Sequence, residues 1–261
     1  MDFIGNLISH GGIKMGTAKG LEPLEAAKLF IAKNFPCCQG ALLAGSVVRG
    51  QETNTSDLDI VVFDQNIPFS YRESLIDFGW PIEIFVHNLT SYKHFFDLDS
   101  KHAKPSMPRM VREGIVLRDE GILEAIKKEA KMLLDKGPEA WTAELLATKR
   151  YFITDALDDF IGSSNRQEGI FIANTLAELL QEFILRTNNR WIGSSKWLIR
   201  ALKEYDEEFA EKFVEAFDDY YRFGKKHKVI HLCEIVLEPY GGRLFAGFSL
   251  GEREDFKTDP R

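Results

Sequence analysis

Apolar residues recur at helical spacing over Leu21–Phe35: Leu24, Ala27 and Ile31 share a face, Pro23 suits a first turn and Pro36 ends the run. The short apolar run Gln39–Ala44, stopped by Gly45, predicts a strand, and Ser46–Gly50 predicts the opening of a helix with Gly45 or Ser46 near its N-cap. Asp57–Phe63 is rich in β-branched residues and reads as a buried strand. Phe69–Phe78 reads as a helix, and Trp80–His87 as a strand begun near Pro81, a position that tolerates proline. A helix over Thr90–Phe96 follows. Met107–Gly114 then leads to a last short strand over Ile115–Arg118.

The texture changes after Asp119. Ile122–Lys136 is a clean amphipathic helix broken by Gly137 and Pro138. Long helical patterns follow over Ala140–Phe160, Glu168–Thr187, Ser195–Glu204 and Glu207–Lys226, with turns bearing Gly, Ser and Asn between them. From Leu237 onward the tail is irregular and ends in charged residues. The predicted fold class is α+β: a small mixed-sheet domain over residues 1–120, then an all-α helical bundle over 121–261.

Composition narrows the function classes. The chain has 261 residues, 44% hydrophobic and 28% charged, as in an ordinary globular protein. A net charge of −7 provides no overall basic field for nucleic acid or an anionic membrane, so both are disfavoured as partners. Cys37, Cys38 and Cys233 form no disulfide framework and no paired metal-ligand spacing, and read as small buried residues in a reducing compartment. Residues 1–16 lack a basic leader followed by an apolar run, and no segment approaches membrane-spanning length. The expected location is the cytoplasm.

The chemistry concentrates between Gly45 and Val62. Alternate strand residues face one side, so Asp57 and Asp59 project together while Leu58 points into the opposite layer. Two carboxylates so placed repel unless a cation lies between them, and Mg²⁺ accepts one or two carboxylates together with substrate phosphates. Upstream, Gly45 and Ser46 follow a strand and open a helix. There, free backbone N–H groups can meet phosphate, and Arg49 lies one turn on, able to reach a phosphate or anchor the loop to Asp59. Glu83, in the otherwise apolar run Trp80–Val86, is the natural third acid, because a carboxylate there is costly without a partner. A Walker phosphate loop is excluded, since no lysine follows a glycine-rich run in the required pattern. Taken singly, a Gly-Ser turn or an Asp-x-Asp pair is often only turn capping; their order and spacing, with Glu83, point to a site.

The series Gly45-Ser46, ten residues, Asp57-Leu58-Asp59, then Glu83 on a later strand resembles the signature of the nucleotidyltransferase superfamily that includes DNA polymerase β. The layout of a small catalytic domain followed by a helical bundle is similar to the aminoglycoside nucleotidyltransferases of the kanamycin type. The motif covers about forty residues and the layout nearly the whole chain. The resemblance implies that Gly45 and Ser46 contact a triphosphate. It further implies that Asp57, Asp59 and Glu83 bind two Mg²⁺ ions, and that Glu83 helps deprotonate an acceptor hydroxyl. One position departs from the family pattern: Val48 stands where members often carry a small residue.

In the helical half, Asp155, Asp158 and Asp159 crowd one helix and call for a cation, either a polyamine- or aminoglycoside-like substrate or nearby Lys149 and Arg150. Glu178 and Glu182 form a second acidic pair at i,i+4. Lys196 opens a Lys-Trp-Leu stretch that, in resembling enzymes, folds back toward the nucleotide; the alternative is a surface lysine beside a core Trp197. His10, His87, His94, His102, His227 and His231 give no convincing metal set. The expected activity is Mg²⁺-dependent transfer of a nucleoside monophosphate, AMP from ATP, to a hydroxyl of a small molecule, with release of pyrophosphate. The alternatives are an AMPylating enzyme acting on protein and a catalytically idle nucleotide-binding regulator.

Overall fold

The computed structural model describes residues 21–251. His10 and the segment read for a leader therefore lie outside the described residues. The fold is α+β, with a mixed five-stranded sheet early in the chain and mostly helix after it. Contacts divide the chain into two compact units. Among the described residues, one holds those up to Lys93 together with Arg109–Glu129; the other holds His94–Pro108 and those from Ala130 onward.

The sheet unit opens with α1 (Pro23–Asn34), which carries Pro23 in its first turn, Glu25 near its positive end and Lys33 near its negative end. It buries Ala26, Ala27, Phe30 and Ile31 against sheet residues such as Leu43, Leu58 and Ile60. Strand β1 (Gly40–Ala44) is buried along its whole length, and the single helical turn α2 (Gly45–Val48) follows without a break. Then come β2 (Leu58–Phe63), β3 (Tyr71–Asp77) and β4 (Trp80–His87). Helices α3 (Ser91–Lys101) and α4 (Ser106–Glu113) precede β5 (Ile115–Asp119) and α5 (Leu123–Lys136). The strand order is β3-β4-β2-β1-β5; β2 and β4 run parallel, and every other neighbour is antiparallel.

The register sets up the chemistry. In the β2–β4 pairing Asp59 lies opposite Glu83, and in the β1–β2 pairing it lies opposite Ala44, the residue before Gly45. Pairing of β2 with β4 begins at Leu58 and Ile82, so Pro81 sits just before it and its missing N–H costs no ladder bond on that side.

The helix expected over Phe69–Phe78 is instead the edge strand β3. Phe78 (φ 50°) and Gly79 (φ 80°) both take left-handed conformations and close a two-residue turn of the kind that joins antiparallel strands. The strand is half-solvated, with Ile76 78% exposed, so its sequence lacks a clean period of two, and pairing with β4 decides its conformation.

The helical unit contains α6 (Ala143–Gly162), α7 (Arg166–Thr187), α8 (Lys196–Tyr205), α9 (Glu207–Phe223) and α10 (His227–Leu237). Thr142, Asn165 and Asp206 cap α6, α7 and α9 by accepting from Leu145, Gln167 and Phe209 N–H groups. Left-handed Gly224 ends α9, so the helix expected to reach Lys226 stops short and α10 follows as a helix the periodicity did not separate. Leu157, Phe160, Leu180, Phe183, Phe217 and Leu237 lie in one continuous core. Cys38 and Cys233 are buried thiols, but Cys37 is exposed, contrary to the expectation for all three. No described helix is long and apolar enough to cross a membrane.

Ile60 is fully buried in β2, next to the residue that the register sets against Glu83. Ile60→Ala is expected to lower stability by about 2–5 kcal/mol through the lost burial and the cavity left behind. The shift in the urea midpoint measures it.

Candidate active site

Asp57 immediately precedes β2 and Asp59 is its second residue; Leu58 between them is fully buried, as alternation requires. Glu83 projects from the neighbouring parallel strand at the position paired with Asp59. One carboxylate oxygen from each of Asp57, Asp59 and Glu83 lies within 4.8 Å of the others. Among the described residues this is the one such group of three or more potential ligands. The donor set is all oxygen and anionic, which suits hard divalent cations such as Mg²⁺ or Mn²⁺ over softer metals.

The electrostatics fit a cation as well. Burial, then the neighbouring charges of Asp57 and Glu83, push the Asp59 carboxyl up to about 6, and Arg49 and Arg72 only partly offset this. Three acids crowded closely enough to raise one carboxyl to about 6 form a site short of positive charge.

Gly45 faces this cluster for a steric reason. Its φ is +82°, and a Cβ placed there would lie 1.9 Å from Asp59 Oδ2. The carboxylate therefore packs onto the backbone at the start of α2. Ser46 is buried, and its hydroxyl donates to Ser56 Oγ at 3.1 Å, joining α2 to the residue before Asp57. Ser56 Oγ also accepts from Thr53 N–H at 2.9 Å, and Gln51 N–H donates back to the Ser46 carbonyl, so the connecting loop is tied at both ends. Arg49 ends the turn, donates to Glu113 Oε2 at 2.6 Å and favours the ionised form of Asp59 through space.

Strand β3 adds two residues that sequence reasoning did not find. Ser74 is the register partner of Glu83 and donates to its Oε1 at 3.1 Å; Arg72 Nη2 reaches the same oxygen at 2.5 Å. They were hidden because the segment was read as a helix. The glycine at position 79 after an apolar residue was the available hint of a hairpin.

The remaining candidates lie in the helical unit. Lys196 is the first residue of α8. Asp155 is exposed on α6, whereas Asp158 accepts from Arg243 Nη1 at 3.1 Å. The two cations expected beside that cluster go elsewhere: Lys149 pairs with Glu182 at 2.7 Å, and Arg150 donates to the Gly242 carbonyl. His227 and His231 lie on α10 and belong to no group of clustered ligands among the described residues.

Among solved structures the chain is similar to a nucleotidyltransferase-like protein from Exiguobacterium sibiricum 255-15, with 12% sequence identity and a TM-score of 0.44; the match covers 84% of this chain and 74% of that one. No family model matches the sequence, and no curated protein matches it.

Two outcomes follow from the site geometry. Gly45→Ala places a methyl group against the Asp59 carboxylate and strains the left-handed backbone, at an expected cost of about 1–3 kcal/mol in thermal or urea unfolding. A raised carboxyl pKa means that the folded protein holds a proton over pH 4–6 that the unfolded chain has released, so metal-free stability falls as pH rises through that window. Asp59→Asn lacks this slope. In EDTA the variant should gain on the wild type as pH rises from 4 to 7, reaching about 2 kcal/mol, and added Mg²⁺ should remove the gain by stabilising only the wild type. Melting temperatures of both proteins across pH test this.

Proposed function

We propose that this chain is a metal-dependent nucleotidyltransferase of the polymerase β superfamily, similar to the two-domain enzymes of the kanamycin type. In this reading it transfers a nucleoside monophosphate, AMP from ATP, to a hydroxyl of a small molecule and releases pyrophosphate. The observation that carries the reading is the convergence of Asp57, Asp59 and Glu83 from two parallel strands onto one point, beside a glycine turn held against Asp59.

Asp57, Asp59 and Glu83 would hold two Mg²⁺ ions. Bound there, the ions would polarise the attacking hydroxyl and offset charge on the leaving pyrophosphate. The protein's own groups have separable tasks. The Gly45–Ser46 turn presents backbone to the triphosphate, and a side chain at position 45 would intrude on Asp59 before it met any phosphate. Arg49 and Lys196 are the cations assigned to the phosphates. Glu83 accepts the acceptor's hydroxyl proton. On the acceptor side the reading rests more on Asp155 than on Asp158, which is committed to Arg243.

The test is incubation with α-labelled ATP and Mg²⁺ across a panel of hydroxylated acceptors, with pyrophosphate release as the second readout. The wild type should yield a labelled small molecule, and Asp57→Asn, Asp59→Asn or Glu83→Gln should each reduce turnover by more than about 100-fold. Label on protein in place of a small molecule would point to the AMPylating alternative. ATP binding without any turnover would favour the regulatory one.

A further inference from the structure

The two bonds to Glu83 have a consequence for how the third carboxylate is presented. Both the Arg72 guanidinium and the Ser74 hydroxyl end on Oε1, and Oε2 has no hydrogen-bond donor among the described residues. The side chain of Glu83 is 15% exposed, so its orientation is set by protein contacts more than by solvent. The β3–β4 register explains why both donors arrive together. Ser74 lies opposite Glu83 and Arg72 lies opposite Phe85, two residues on, so all four side chains share one face of the hairpin. The Phe85 ring lies 5.0 Å from the Arg72 guanidinium and gives the otherwise exposed side chain a surface to rest on.

We propose that Arg72 and Ser74 are positioning residues that clamp Oε1 of Glu83 and so present Oε2 to a divalent cation shared with Asp57 and Asp59. The inference rests on the metal-binding reading given above and extends it to residues that do not themselves touch the ion. A carboxylate free to rotate on its own bonds would spend much of its time with neither oxygen directed at its neighbours, and partners that fix ligand orientation commonly change metal affinity by 10- to 100-fold. The Arg72 charge acts in the opposite sense, since it repels a cation. Its side chain is 62% exposed, so water and salt screen that repulsion, and orientation is the larger effect.

The experiment uses the full chain and Mn²⁺ alone, with the free ion followed by its paramagnetic resonance signal. Ser74→Ala changes no charge and should weaken Mn²⁺ binding by about tenfold, while Ser74→Thr, which keeps the hydroxyl, should restore it. Arg72→Gln should also weaken binding. In a Glu83→Gln background, where Mn²⁺ affinity is already reduced, neither change should reduce it further. A purely structural role for β3 would lower the melting temperature without this dependence on Glu83. If the wild type binds Mn²⁺ and Asp59→Asn abolishes binding, yet Ser74→Ala binds as tightly as the wild type, the clamp is wrong and the metal site stands. Tighter binding by Arg72→Gln would make the arginine a competitor of the ion and likewise overturn the clamp. If the wild type takes up no Mn²⁺, the metal reading and the clamp fail together.

Discussion

Like-charge repulsion among Asp57, Asp59 and Glu83 is the constraint around which the sheet unit is arranged. A hydrophobic strand gains nothing from a carboxylate in its interior, and three within 4.8 Å work against folding unless a cation offsets them. The surrounding structure is built to carry that load. Fully buried Leu58, Ile60, Val61, Val62 and Phe63 anchor β2 on both faces, and Ile82, Ile84 and Val86 anchor the face of β4 opposite Glu83. Parallel pairing then fixes Asp59 against Glu83 without allowing either strand to slip, because a slip of one residue would turn the acids into the core and the apolar residues out.

The same constraint explains the glycine. The first neighbour of a side chain at Gly45 would be Asp59 Oδ2, at a distance no side chain permits. The glycine thus leaves space for a carboxylate that must face its partners. The Ser46–Ser56 hydrogen bond closes the loop between these two parts of the site, so the ten residues separating Ser46 and Asp57 set a fixed span and not a free linker.

What the sequence made legible follows from how local each determinant is. The buried strands over Gly40–Ala44, Leu58–Phe63 and Trp80–His87 and most of the helices could be read because apolar spacing and turn residues act within a few positions. The three acids could be picked out for the same reason, Asp59 and Glu83 as charges in apolar runs and Asp57 by its spacing of two from Asp59. Strand β3 could not, because its conformation depends on pairing with β4 and on a turn made of Phe78 and Gly79 in place of the usual Asn-Gly pair. Missing β3 meant missing Arg72 and Ser74, whose relation to Glu83 exists only across that pairing. The Arg49–Glu113 ion pair was hidden likewise, since its partners lie 64 positions apart.

Acidic pairs in the helical unit show why charge alone does not make a site. Glu182 is held by Lys149, which also lies over the Trp141 ring, and Asp158 shares Arg243 with Glu234. Those carboxylates have their counter-charges within the protein, and the more exposed Arg243 pairs carry small energetic weight. In the sheet unit the balance differs: two arginines stand near three acids, and Arg72 and Arg49 together leave Asp59 with its carboxyl still raised to about 6. A protein that pairs Glu182 and Asp158 with cations of its own leaves this group short of positive charge, on two interior strands of its sheet. That deficit sets Asp57, Asp59 and Glu83 apart from Glu182 and Asp158 and directs the functional reading to them.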